Sequence, residues 1–276
     1  MQDFSFVNAN KQLLIGRDWP VDTPMAVLAL VHGQGEHCGR YAHVAEWFNT
    51  RGIALMGFDQ QGHGRTKGPR GAAHSLNSLL DDIGLFVEQV KARYPDTPVF
   101  LYGHSMGGQL ALNYLLRRPS ELKGGIITSP WISLAFEPPK LKVLAGKLLF
   151  RLTPMLHLPN GLAVRFISRD PEVVKAYQSD PLVHNKIGVG AAMALLEGAE
   201  WLQQYAGSSP LPVLLMHGGD DRITSCKASA DFASRVANVT WREWPDLYHE
   251  MHNERAKEQI FEAMLDFVKS CLDGAK

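Results

Sequence analysis

The stretch LYGHSMGGQ, residues 101–109, sets Ser105 two positions from a glycine on either side. An apolar run, PVFLY at 98–102, precedes it, and a helix-like pattern, QLALNYLLRR at 109–118, follows. The spacing predicts a strand that turns sharply into a helix, with glycines where backbones approach and Ser105 pushed out at the apex. Taken alone, the same residues would also suit a tight connection with a capping serine. A serine hydroxyl becomes a useful nucleophile when a base takes its proton and a third group orients that base.

In an open parallel sheet, functional groups collect beyond the carboxyl ends of the strands. Two late apolar runs end in suitable residues. PVLLMH, residues 212–217, leads into GGDDRI, placing Asp220 and Asp221 at a strand end. VTWREW, residues 239–244, leads into PDLYHEMH, placing His249 ahead of the last helix. The chain order Ser, Asp, His is that of the α/β-hydrolase triad, with either aspartate available as the acid. Acyl transfer also needs donors for a developing oxyanion. One is the backbone N–H after the serine, Met106. The other is expected from HGQGEHCGRY, residues 32–41, where glycines flank Gln34 and let its N–H curl inward. With 11 histidines in the chain, single histidines carry little weight. His32, His104 and His217 sit at strand ends and read as structural.

The elements that must hold these residues follow from apolar periodicity. Strands are expected at 4–7, 11–18, 25–31, 52–58, 98–102, 124–128, 212–217 and 239–244. Helices are expected at 40–50, 75–94, 109–118, 226–236 and 254–271. Short apolar strands alternating with helices argue for a mostly parallel sheet covered on both faces. The alternation breaks between about 131 and 200, which predicts a body of residues 1–130 and 201–276 with a cap inserted at 131–200. Within it, KLKVLAGKLLFRL at 140–152 forms an apolar helical stripe flanked by Lys140, Lys147 and Arg151, with Val143 and Phe150 on the opposite side. Such a helix is either buried on two faces or a cap over an apolar pocket that touches lipid.

Composition bounds the partners. Hydrophobic residues make up 45% and charged residues 20%, and Lys plus Arg equals Asp plus Glu at 28 each. This balance gives no global field for nucleic acid. The first residues lack a basic segment followed by an apolar one, and no apolar run approaches the ~20 residues that span a bilayer. Cys38, Cys226 and Cys271 are scattered and show no metal-ligand spacing. A cytoplasmic protein without metal or organic cofactor is expected.

Taken together, HGQGEHCGRY, DQQGHGRTKGPRG, GHSMGG, HGGDDR, YHEMH and the segment SRDPEVVKAYQSDPLV resemble the monoacylglycerol lipase family of serine hydrolases over nearly the whole chain. The resemblance implies the α/β-hydrolase fold with a helical cap. It implies a triad of Ser105, His249 and Asp221, the acid being the one directly before the Arg. It places the oxyanion donors on Gln34 and Met106, and glycerol contacts on Glu36, Arg40 and His252. Gln34 departs from the small or apolar residues common there. The implied activity is release of fatty acid and glycerol from monoacylglycerol, a lipid ester, with peripheral membrane contact through the cap. A lysophospholipase, a broad carboxylesterase and a non-catalytic ligand-binding member of the fold are the competing expectations.

Overall fold

The computed structural model describes residues 1–118, 120–136 and 156–274. The amphipathic segment expected at 140–152, with Val143 and Phe150, lies outside the described residues. The body is an eight-stranded sheet. Its strands are β1 (Gln2–Val7), β2 (Leu13–Trp19), β3 (Ala26–Val31), β4 (Ile53–Asp59), β5 (Val99–His104), β6 (Gly124–Thr128), β9 (Gly207–Gly218) and β10 (Val236–Trp244). Their order is β1-β2-β4-β3-β5-β6-β9-β10. β1 pairs antiparallel with β2, and β2 antiparallel with β4; the pairs from β4 onward are parallel.

The run AVLALV of β3 is buried at every position because both sheet faces are covered. Val27, Ala29 and Val31 join the core under α2 (Leu76–Arg93), α3 (Met106–Arg117) and α6 (Cys226–Arg235). Ala26, Leu28 and Leu30 face the opposite core with α1 (Ala42–Asn49) and α7 (Lys257–Asp273). The period of two along one strand thus feeds two separate cores. α2 starts at a reciprocal cap: Ser75 Oγ accepts from the Ser78 N–H at 3.1 Å, while Ser78 Oγ accepts from the Ser75 N–H at 3.1 Å.

Between β6 and β9, the described cap holds a two-stranded antiparallel pair, β7 (His157–Pro159) with β8 (Lys186–Gly188), and α4 (Pro171–Ser179). Asp170 caps α4, accepting from the Glu172 N–H at 3.0 Å, and Pro171 follows at its first turn. α5 (Val189–Gln204) begins inside the 131–200 interval, ends beyond it and packs on the body. Its Leu195 and Leu202 belong to the core under α3, and its Gly198 carbonyl accepts from Asn113 Nδ2 at 3.3 Å.

Candidate active site

The turn from β5 into α3 carries Ser105 at φ 54°, ψ −118°, in the positive-φ region that L-residues seldom occupy. The flanking glycines are forced by contact. A Cβ on Gly107 would stand 2.0 Å from the Val31 carbonyl oxygen and 2.5 Å from that of His32. One on Gly103 would meet the Gly107 carbonyl at 2.6 Å. The Ser105 N–H donates to Thr128 O on β6 at 3.0 Å, and its carbonyl accepts from Trp131 N at 3.1 Å. The strained apex is thus pinned from both sides.

The three residues meet across the carboxyl ends of three strands. Ser105 Oγ lies 2.8 Å from His249 Nε2, and His249 Nδ1 lies 2.6 Å from Asp221 Oδ2. The network requires the Nδ1–H tautomer, so the serine hydroxyl donates to Nε2. Asp221 is held from every side: Oδ1 accepts from the N–H groups of Ile223 at 2.8 Å and Thr224 at 3.1 Å. Its Oδ2 also receives the Thr224 hydroxyl at 2.9 Å and His217 Nε2 at 3.0 Å. Asp220, by contrast, is exposed and pairs with Arg169.

Burial alone would push the Asp221 carboxyl up, but the charge of His249 and hydrogen bonds from His217 and His249 hold it well below the carboxylate range. Burial pushes the His249 imidazole down, and the Asp221 charge outweighs it to leave the ring more basic than usual. His104, next to the serine, is driven to about 3 by burial and by the His249 charge, and its Nδ1 sits 3.1 Å from Thr128 Oγ1.

Gln34 and Ser105 line one cavity, and Met106 follows the serine directly. Met106 is the first residue of α3, where an N–H has no acceptor within the helix. Gln34 precedes Gly35, whose φ of 80° turns the loop, and whose Cβ, if present, would strike His184 O at 2.4 Å. The Gln34 side chain is drawn to the cap, its Nε2 donating to Lys186 O at 2.8 Å.

A cavity of about 310 Å³ opens over Ser105 and His249, walled by Trp131, Leu134, Phe136, Leu162, Phe166 and Ile187. Glu36 is on its lining and Arg40 and His252 are not. His252 is 0% exposed, its ring stacked on Tyr41 at 4.6 Å and edge-on to His104 at 4.8 Å. Burial, then the neighbouring His104, keeps it neutral far below the ordinary histidine range. Arg40 is consumed by Glu36 and Glu250, and the Glu36 oxygens by Gly33 N–H, Tyr41 OH and Arg40.

Sequence reasoning passed over Thr224 and Glu250 and read His217 as structural. Glu250 stands beside His249 in YHEMH, but its partner Arg40 lies 210 positions away, and no local pattern announces the pair. His217 read as a backbone-satisfying strand end. His32 does fill that role, with Nδ1 2.8 Å from Gly33 O and Nε2 accepting from Gln60 N–H at 3.0 Å, whereas His217 Nε2 bonds the acid at 3.0 Å besides lying 3.3 Å from Thr224 O. Among the described residues, no group of three or more metal-ligating side chains is assembled.

A serine hydroxyl donating to an imidazole, an acid behind that imidazole and a mostly parallel, doubly covered sheet define a serine hydrolase of the α/β-hydrolase class. A family model described as serine aminopeptidase, S33, matches residues 22–256. The chain is 33% identical to a monoacylglycerol lipase of Mycolicibacterium smegmatis, over 98% of each sequence. It is 40% identical, over 99% of its length, to an uncharacterized abhydrolase domain-containing protein of Dictyostelium discoideum, of which it spans 29%. The crystal structure of a Paleococcus ferrophilus monoacylglycerol lipase matches with a TM-score of 0.85 at 32% identity, covering 94% of this chain and 99% of that one. The chain belongs to the monoacylglycerol lipase family of serine hydrolases. It is a carboxylic-ester hydrolase.

Proposed function

We propose that the chain cleaves monoacylglycerol to fatty acid and glycerol, with Ser105 as nucleophile. The observation that carries this reading is the 2.8 Å contact between Ser105 Oγ and His249 Nε2 at the base of an apolar cavity. Ser105 Oγ attacks the ester carbonyl as its proton passes to His249 Nε2. The oxygen of the tetrahedral intermediate gathers negative charge and is met by the N–H groups of Gln34 and Met106. His249 then protonates the departing glycerol oxygen, leaving the fatty acyl group on Ser105. Water enters and attacks the acyl carbonyl as His249 Nε2 takes its proton, and His249 returns that proton to Ser105 Oγ as the acyl–oxygen bond breaks, freeing the fatty acid and restoring the serine. Throughout, Asp221 holds the imidazole tautomer and balances its charge without taking a proton.

The relatives named as monoacylglycerol lipases support the glycerol ester as substrate, and the apolar walls suit an acyl chain. Contact with a lipid surface through the cap belongs to the same reading. Phe136, Leu156 and Leu158 expose 51%, 39% and 39% of their surface around this region. Among the described residues no helix is long and apolar enough to cross a membrane, and we place the enzyme in the cytoplasm or peripherally at a membrane.

A panel of monoacylglycerols of graded chain length, diacylglycerol, lysophospholipid and short nitrophenyl esters tests the assignment. The highest kcat/KM is expected on a monoacylglycerol. A preference for lysophospholipid, or equal rates on all esters, would replace monoacylglycerol as the substrate. No turnover of any ester would leave only a ligand-binding role.

A further inference from the structure

Arg40 joins two loops that meet nowhere in the sheet. Its Nη1 donates to Glu36 Oε2 at 2.6 Å and to Glu250 Oε1 at 2.7 Å, and its Nη2 donates to Glu250 Oε2 at 2.7 Å. The side chains of Arg40, Glu36 and Glu250 are only 9%, 3% and 4% exposed. On one side, Glu36 Oε1 accepts from the Gly33 N–H at 2.6 Å and from Tyr41 OH at 2.9 Å, so this carboxylate shapes the loop that presents the Gln34 N–H. On the other side, Glu250 is the residue after His249. Its N–H donates to Ile167 O at 2.7 Å, and its Oε2 also accepts from Asn253 Nδ2 at 2.8 Å. The face of the Arg40 guanidinium rests on Tyr177 of the cap, 4.6 Å from the ring centroid.

A buried ion triad is weak evidence for stability, because desolvation cancels much of its attraction. Its geometric value is larger. A planar guanidinium with a fixed fork fills both carboxylates at once, which a point charge on a flexible stem does not. Two links lead from Arg40 to Gly33 and so to the neighbouring Gln34 N–H; two lead through Glu250 to His249.

We propose that Arg40 is a positioning residue that fixes the oxyanion loop relative to His249, on either side of Ser105. Arg40 acts behind the cavity wall, so it serves every ester alike and not the glycerol head group. The proposal rests on the hydrolase reading above. A displacement of about 1 Å at a reacting centre can cost about 100-fold in rate, and the loss falls on the transition state.

The test compares wild type, Arg40→Ala and Arg40→Lys on monoacylglycerol and on a short ester of a simple alcohol. Active sites are counted by fluorophosphonate titration. In Arg40→Ala, kcat per titrated site should fall about 10- to 100-fold on both esters, with KM within about twofold. Guanidinium chloride at millimolar concentration should restore part of that loss in Arg40→Ala and none in wild type. Arg40→Lys keeps the charge but not the fork, and should show the same kcat-only loss; it carries the test should Arg40→Ala not fold. A KM rise confined to monoacylglycerol would overturn the proposal and return Arg40 to the glycerol site. A loss fully explained by fewer titrated sites would overturn it in favour of a purely structural role. Wild type without ester turnover would remove the hydrolase reading and this proposal together, whereas an active wild type lacking the kcat-only split removes this proposal alone.

Discussion

His217 Nε2 and Asp221 Oδ2 lie 3.0 Å apart, on the same carboxylate oxygen that His249 Nδ1 reaches at 2.6 Å. His217 is 0% exposed; the Asp221 carboxylate only accepts, so Nε2 carries the hydrogen, and Nδ1, 2.9 Å from Ser229 Oγ, accepts from that hydroxyl of α6. The acid is thus aimed by a second imidazole from its own strand end. A carboxylate with this many donors has one orientation, and that orientation fixes His249.

Truncating this support should cost activity without touching the substrate. His217→Ala removes one donor from a buried carboxylate, and kcat/KM should fall about tenfold, in keeping with about 1.5 kcal/mol for a hydrogen bond to a charged group. Steady-state kinetics on a soluble ester checks this. Activity within twofold of wild type would show that the backbone N–H groups of Ile223 and Thr224 suffice.

The two neighbouring aspartates should separate sharply. Asp221→Asn should lower kcat by about 10⁴-fold, because the amide favours the wrong imidazole tautomer. Asp220→Asn breaks only an exposed pair with Arg169, a contact that contributes little, and should stay within about twofold. Comparable losses in the two variants would disprove the assignment of the acid.

Activity and stability should respond to pH in different ways. His249 must be neutral to accept the Ser105 proton, and the Asp221 charge raises its pKa above the ordinary value near 6.5 against the opposing effect of burial. Hence kcat/KM should rise with pH through a midpoint above about 6.5. The same raised value stabilises the fold below the unfolded pKa, a contribution lost as pH climbs through the folded one. Asp221 has the opposite sign: its contribution is present above the unfolded carboxyl pKa and is lost as pH falls through its lowered folded value. His32, His63, His104 and His252 are buried and held neutral, chiefly by desolvation. Below about pH 6.5 the unfolded chain gains protons there that the folded chain does not, each adding a slope of about 1.4 kcal/mol per pH unit. Urea unfolding between pH 7 and pH 5 should show a steep loss; a flat profile would contradict the neutral, buried state of these rings.

The elbow has no room for a methyl group. In Gly107→Ala the new Cβ would stand 2.0 Å from Val31 O and 2.5 Å from His32 O, both backbone atoms of the strand and loop beside the oxyanion donor. Overpacking against backbone should destabilise by roughly 2 kcal/mol or more. A thermal melt equal to wild type would mean that the turn relaxes in a way the close contacts do not suggest.

Much of this site was legible in local sequence. The parallel sheet could be read from MAVLALV and GIALMGF because strands covered on both faces are apolar at successive positions. Ser105, His249 and the pair Asp220 and Asp221 could be placed because each follows a strand at its carboxyl end, and the family resemblance, not the strand end, singled out Asp221. What escaped was side-chain pairing over long separations. Arg40 and Glu250 form a bidentate pair across 210 positions, and nothing in HGQGEHCGRY distinguishes an arginine facing a substrate from one facing a buried carboxylate. His252 sits one helical turn beyond His249 in sequence, and its ring stacks on Tyr41, 211 positions away.

The most direct test of the central claim is the site of reaction with a fluorophosphonate, located by peptide mass after digestion of the intact chain. Ser105 should be labelled at one probe per molecule, with ester hydrolysis lost in step, and Ser105→Ala should neither label nor turn over any ester while melting like wild type. Labelling at another serine, or hydrolysis persisting in folded Ser105→Ala, would contradict the assignment of the nucleophile and with it the mechanism.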